Sequence, residues 1–165
     1  MRFKSIHDAA SAGIAIIHQE LSLVPTMTVD ENIFLGRELS KGPWLTKKQM
    51  QQKAKALLAG VGLEIAFSKK VGDYSLGIQQ MVEICKALAF ESKIIVMDEP
   101  TSALTDVEVQ RLFAIIDKLK KEGRGIVYIT HKMEEIYRIA DRITVLRDGR
   151  YIGTEIGRAS CRERV

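Results

Sequence analysis

Long apolar runs are missing from this 165-residue sequence. None approaches the ~20 apolar residues that a bilayer-spanning helix needs. Met1-Arg2-Phe3-Lys4 is followed by no apolar core of the signal-peptide kind, so a cytosolic chain is expected. Cysteine is scarce: Cys85 falls on an apolar helix face and Cys161 near the end, which makes no disulfide framework. His7, His18 and His131 are widely separated and show no metal-ligand spacing. Charge of one sign is also in short supply. Of the formal +4, the last ten residues supply +2 through Arg158, Arg162 and Arg164 against Glu163, leaving +2 for residues 1–155. That excess, without a basic stripe interleaved with aromatics, excludes nucleic acid as the expected partner. No repeat, low-complexity run or linker rich in Gly, Ser or Pro interrupts the chain. Gly-x-x-x-x-Gly-Lys-Ser/Thr, the consensus that cradles phosphates and supplies a lysine, occurs nowhere.

What remains is an ordinary globular composition, 46% hydrophobic and 28% charged, enough for one domain or a piece of a larger one. Short β-branched runs at 13–17, 94–97, 126–129 and 143–146 read as strands, and Ile94 to Met97 as one buried on both faces. Stretches with apolar residues three and four apart read as helices over 46–61, 75–89 and 104–121, with shorter ones at 5–12, 28–35 and 132–140. Thr28 followed by Glu31 is a capping box. Leu39 to Trp44 reads as a connecting loop, and Asp148-Gly149 signals a hairpin turn. Strands alternating with helices predict an α/β fold with a mostly parallel sheet.

Three of these strands stop at polar residues: His18-Gln19, Asp98-Glu99 and Thr130-His131. In a parallel sheet such endings converge on one edge, where open α/β sheets bind ligands. Adjacent carboxylates suit a division of labour in which Asp98 holds a hydrated Mg²⁺ and Glu99 activates a water. The plain alternative is an acidic strand end that caps the next helix. Ser75 opens a helix, and Gly77 lets an anion approach backbone N–H groups at its start. Here the alternative is a serine N-cap with an incidental glycine.

Taken together, Gln19, Tyr74-Ser75-Leu76-Gly77-Ile78, Ile94 to Glu99, Ser102-Ala103-Leu104-Thr105 and His131 resemble, in order and spacing, the motifs of the ATP-binding subunit of ABC transporters. These are the Q-loop, signature, Walker B with its adjacent glutamate, D-loop and switch histidine. His18-Gln19-Glu20-Leu21 and Gln80-Met81-Val82-Glu83-Ile84 are similar to importers of ribose and galactose type, where two ATPase halves share one chain, and this segment resembles the first half. The resemblance implies a P-loop NTPase-type core with a helical signature subdomain, ATP and Mg²⁺ as cofactors, and ATP hydrolysis driving sugar uptake. It implies Asp98 and Gln19 as metal contacts through water, Glu99 as proton acceptor and His131 at the γ-phosphate. Ser75 and Gly77 would bind a second nucleotide across the interface with the other ATPase half. Membrane permease subunits are the implied partners, with a periplasmic sugar-binding protein engaged indirectly, at the cytoplasmic face of the membrane. The signature departs from the common form at Tyr74, Leu76 and Ile78, and Thr105 stands in place of the D-loop aspartate.

In that family the phosphate loop precedes the Q-loop, so residues 1–155 are expected to be a partial ATPase domain without it. Residues 156–165 abandon the apolar pattern and are expected to be a non-native or disordered tail. The competing function is an inactive ATPase-like module that only binds a partner. Weak or no ATP binding by the chain alone is predicted. Titration with a fluorescent ATP analogue checks this, and micromolar affinity would refute it.

Overall fold

The computed structural model describes residues 3–41, 44–90 and 92–156, and the chain divides into two compact units, Met1–Ile129 and Thr130–Val165. In chain order the first unit runs α1 (Ile6–Ser11), β1 (Ile14–Ile17), α2 (Val29–Phe34), β2 (Ser40–Lys41), β3 (Trp44–Leu45), α3 (Lys47–Gly60), α4 (Leu76–Leu88), β4 (Ile94–Asp98), α5 (Asp106–Lys121) and β5 (Gly125–Ile129). A single 3₁₀ turn, Val71–Asp73, precedes α4.

The apolar runs form a three-stranded parallel sheet in the order β1-β4-β5. Ile16, Val96 and Val127 lie side by side, as do Ile17, Met97 and Tyr128. Because side chains alternate across a pleat, one face carries Ile17, Ile95 and Met97, all fully buried. The other presents Ile16, Ile94, Val127 and Ile129, which are 47%, 41%, 49% and 47% exposed. Burial of the central strand on both faces, expected from its unbroken apolar run, is therefore corrected to burial on one. Periodicity reports that both faces are apolar, but only packing says which is covered.

Helices α2, α3 and α4 pack on one another, and α4 also packs on β1. The α4 stripe of Met81, Val82, Ile84 and Cys85 is fully buried. Leu112, Phe113, Ile116 and Leu119 make the buried stripe of α5, which lies against β5. The α2 capping box forms as expected: the Glu31 carboxylate accepts the Thr28 N–H at 3.0 Å. This bond holds the Glu31 carboxyl below its ordinary pKa.

The expected loop from Leu39 to Trp44 contains two short strands, β2 and β3, paired antiparallel as Ser40↔Leu45 and Lys41↔Trp44. Two residues are too few to show a period of two, so the pairing left no pattern in the sequence. Gly42 and Pro43 lie outside the described residues.

The second unit contains α6 (Met133–Ile139), β6 (Arg142–Arg147) and β7 (Arg150–Ile156). Asp148 and Gly149 form the two-residue connection with φ of 51° and 71°. Left-handed values at both positions match the right-handed twist of a hairpin. Among the described residues β6 pairs with β7 alone, so the parallel arrangement belongs to the first unit. Residues 157–165, with Cys161 and all but one residue of the expected tail, lie outside the described residues.

Neighbours on opposite faces of β4 should respond differently to truncation. Ile95→Ala should lower stability by about 2–5 kcal/mol through transfer and cavity costs. Ile94→Ala should cost about 1 kcal/mol or less. Urea denaturation midpoints check the pair.

Candidate functional site

Parallel pairing places the carboxyl ends of β1, β4 and β5 at one sheet edge. Asp98 is the last residue of β4, half-buried and level with Ile129 of β5. Glu99 follows in the left-handed region, at φ 43°. A residue with a side chain held there costs about 1–3 kcal/mol, and such strain persists only where surrounding bonds enforce it. The Glu99 N–H donates to the Ile129 carbonyl at 3.0 Å, and the Glu99 carbonyl accepts from the Ser102 N–H at 3.2 Å. The same reversal brings the Glu99 carboxylate to Gln19, two residues past the end of β1. Gln19 Nε2 lies 3.5 Å from Glu99 Oε2, across 80 residues of sequence. Gln19, Asp98 and Glu99 thus meet on one edge.

Ser75 and Gly77 stand at the start of α4 rather than on a strand end. Ser75 is the N-cap, and its hydroxyl accepts the Ile78 N–H at 3.4 Å. Gly77 is buried, and a Cβ there would lie 2.7 Å from Glu108 Oε2. The anion brought closest to this glycine is therefore a carboxylate of the same chain. Glu108 closes a second capping box, accepting the Thr105 N–H at 2.8 Å and the Thr105 hydroxyl at 2.9 Å. Thr-x-x-Glu over Thr105 to Glu108 is the spacing of such a box. Its contact with Gly77 left no local signal.

His131 belongs to the second unit, exposed in the turn ahead of α6. The turn is held by Thr130 Oγ1 donating to Glu135 Oε2 at 3.0 Å and by the Lys132 N–H donating to Thr130 Oγ1 at 3.1 Å. Lys132 Nζ is 3.4 Å from Glu135 Oε1.

Other features stay apart from these groups. A cavity of about 1060 Å³ beside α3 and α5, lined by Leu58, Leu63, Phe67, Ile78, Glu108 and Arg111 among others, contains none of the six expected site residues. Burial pushes the Cys85 thiol up to about 12, which makes it a core residue and not a nucleophile. Among the described residues no cluster of three or more His, Cys, Asp or Glu side chains could hold a metal alone.

Residues 2–102 match the family model of the ABC transporter. The chain belongs to the ABC transporter family. The matched span holds Gln19, Ser75, Gly77, Asp98 and Glu99 and stops short of His131. This ABC transporter chain is 53% identical over 154 residues to the ribose import ATP-binding protein RbsA of Bacillus licheniformis, covering 93% of this chain and 31% of that protein. It spans about 30% of the length of the curated relatives it matches. Among solved structures, a nucleotide-free ATP-binding cassette from an ABC transporter superposes with a TM-score of 0.82 at 26% identity, over 96% of this chain and 67% of that one. A dimeric cassette in a post-hydrolysis state, bound to ADP and phosphate, superposes with a TM-score of 0.76 at 28% identity, over 87% and 62%.

The Gly77 contact generates a double-mutant cycle. Gly77→Ala must displace the Glu108 carboxylate from its cap, a loss of about 0.5–2 kcal/mol. The same substitution made in Glu108→Ala should be milder by about that amount, since the obstruction is gone. Additive effects in urea denaturation would show that the carboxylate does not oppose a methyl group at 77.

Proposed function

We propose that this chain is part of the ATP-binding and hydrolysing subunit of a monosaccharide importer, with residues 1–155 as part of its ATPase domain. The observation that carries the reading is the meeting of Gln19 and Glu99 across β1 and β4, beside Asp98. Similarity to a protein named for ribose import supports the choice of sugar class.

The donor set fits Mg²⁺ of the hydrated, phosphate-bound kind. Such an ion takes one or two carboxylates from the protein and completes its octahedron with water and phosphate oxygens, so no dedicated cage is required. When bound with ATP it would neutralise charge on the phosphates. Asp98 and Gln19 would hold it through water. Glu99, turned out of the strand by its left-handed backbone, would accept the proton of the attacking water at a carboxylate oxygen. Gln19 would orient that carboxylate and report on the γ-phosphate, which His131 would contact. Ser75 and Gly77 would face the nucleotide of a second ATPase half, a role supported by the dimeric state of the similar cassette.

Permease subunits would receive the resulting movement, and a periplasmic sugar-binding protein would deliver the sugar to them. The subunit would work peripherally at the cytoplasmic face of the membrane. No helix among the described residues is long and apolar enough to cross a membrane.

Glu99→Gln in the complete importer should retain ATP while hydrolysis falls about 10²- to 10⁴-fold, the usual range for loss of a general base. Phosphate release and retained nucleotide are the measurements. Hydrolysis near the parent rate would overturn the role of Glu99.

A further inference from the structure

Glu83 is a carboxylate in the wrong place for a stability element. It is only 5% exposed, and Met81, Val82, Ile84 and Cys85 around it on α4 are fully buried. Its Oε1 accepts the Ser22 hydroxyl at 2.6 Å. Lys86, one turn further along α4, donates to both the carbonyl and the hydroxyl oxygen of Ser22 at 3.1 Å, and its Nζ is 3.7 Å from Glu83 Oε1. The other carboxylate oxygen, Oε2, is buried with no hydrogen-bond partner among the described residues. Apolar side chains of similar volume would pack α4 against this loop at equal or lower free energy, because a buried ion pair seldom recovers its desolvation cost. What the charged triangle adds is direction: three hydrogen bonds converge on one residue and fix where it stands.

That residue is three positions past Gln19. Beyond it the loop is fastened again, to α2, where the buried Asn32 side chain accepts the Val24 N–H at 2.7 Å and donates to the Val24 carbonyl at 3.1 Å. On the near side, Ile17 is locked into the sheet beside Met97. The span that carries Gln19 is thus stretched between a sheet anchor and a helix anchor. Three peptide units reach about 10 Å at most, so the place of Ser22 restricts where the Gln19 amide can lie. At 3.5 Å the Gln19–Glu99 contact is at the outer limit of a hydrogen bond, so a shift of a fraction of an ångström makes or breaks it.

We propose that Ser22, Glu83 and Lys86 form a latch that positions Gln19 against Glu99, with Glu83 as its central positioning residue. The inference rests on the proposed ATPase role of this edge. Through the latch, α4, whose first turn carries Ser75 and Gly77, shares a rigid connection with the carboxylate edge of the sheet.

Two measurements in the importer that carries this chain test it. For Glu83→Ala and Ser22→Ala, kcat for ATP should fall about 10-fold or more, the scale of a sub-ångström misplacement of a catalytic group. KM should stay within about twofold, since the latch touches no substrate. Glu83→Gln, which keeps the acceptor for Ser22, should recover most of the rate. In parallel, amide hydrogen exchange at Val24, whose N–H is held by Asn32, should speed up about 10-fold in Ser22→Ala while residues 81–85 of α4 stay protected, the sign of local and not global opening. Unchanged exchange at Val24 overturns the latch, as does a kcat loss that Glu83→Gln fails to recover. If the parent importer hydrolyses no ATP, the ATPase reading fails, and the exchange comparison alone decides whether the latch exists.

Discussion

Two-sided pairing of β4 is the constraint on which the rest of the first unit depends. Hydrogen-bonded to β1 on one side and β5 on the other, the strand satisfies its backbone groups without water and can be built from Ile94, Ile95, Val96 and Met97. Parallel register then leaves no choice about where the polar endings of β1 and β4 go. They collect at one edge, because strands that run the same way finish at the same end. The reversal at Glu99 is the cost of that delivery: the backbone adopts a left-handed conformation where bonds to Ile129 and Ser102 hold it.

The helices are placed by the same sheet but joined to it by different means. α4 meets β1 through a fully buried apolar stripe, which is non-directional and sets distance. Its polar contacts set orientation. The Ser75 cap aims the first turn, Glu83 and Lys86 grip the loop behind Gln19, and Gly77 admits the Glu108 carboxylate from α5. These contacts fix where Gln19, Ser75 and Gly77 stand in the fold.

Much of this architecture can be read from local signals. The Thr28–Glu31 box, the Ser75 cap and the Asp148-Gly149 turn are where residue chemistry puts them, since each depends on atoms within three or four residues. The polar strand ends were legible for the same reason: a run of β-branched residues stops, and a carboxylate or amide follows. The hairpin of β2 and β3 was too short to leave a period, and the exposed face of β4 looked like its buried one.

By itself, then, the sequence determined which segments are strands and helices apart from β2 and β3, how several of their ends are capped, and which residue types stand at the sheet edge. Only the tertiary structure decided the order β1-β4-β5, the face that is buried, the meeting of Gln19 with Glu99 and the tie from Ser22 to Glu83. These contacts join residues 80 and 61 positions apart. Helical and strand periods are set by sterics within a few residues, whereas a hydrogen bond between distant side chains exists only after the intervening elements have packed. No local pattern can encode a distance that the whole core sets.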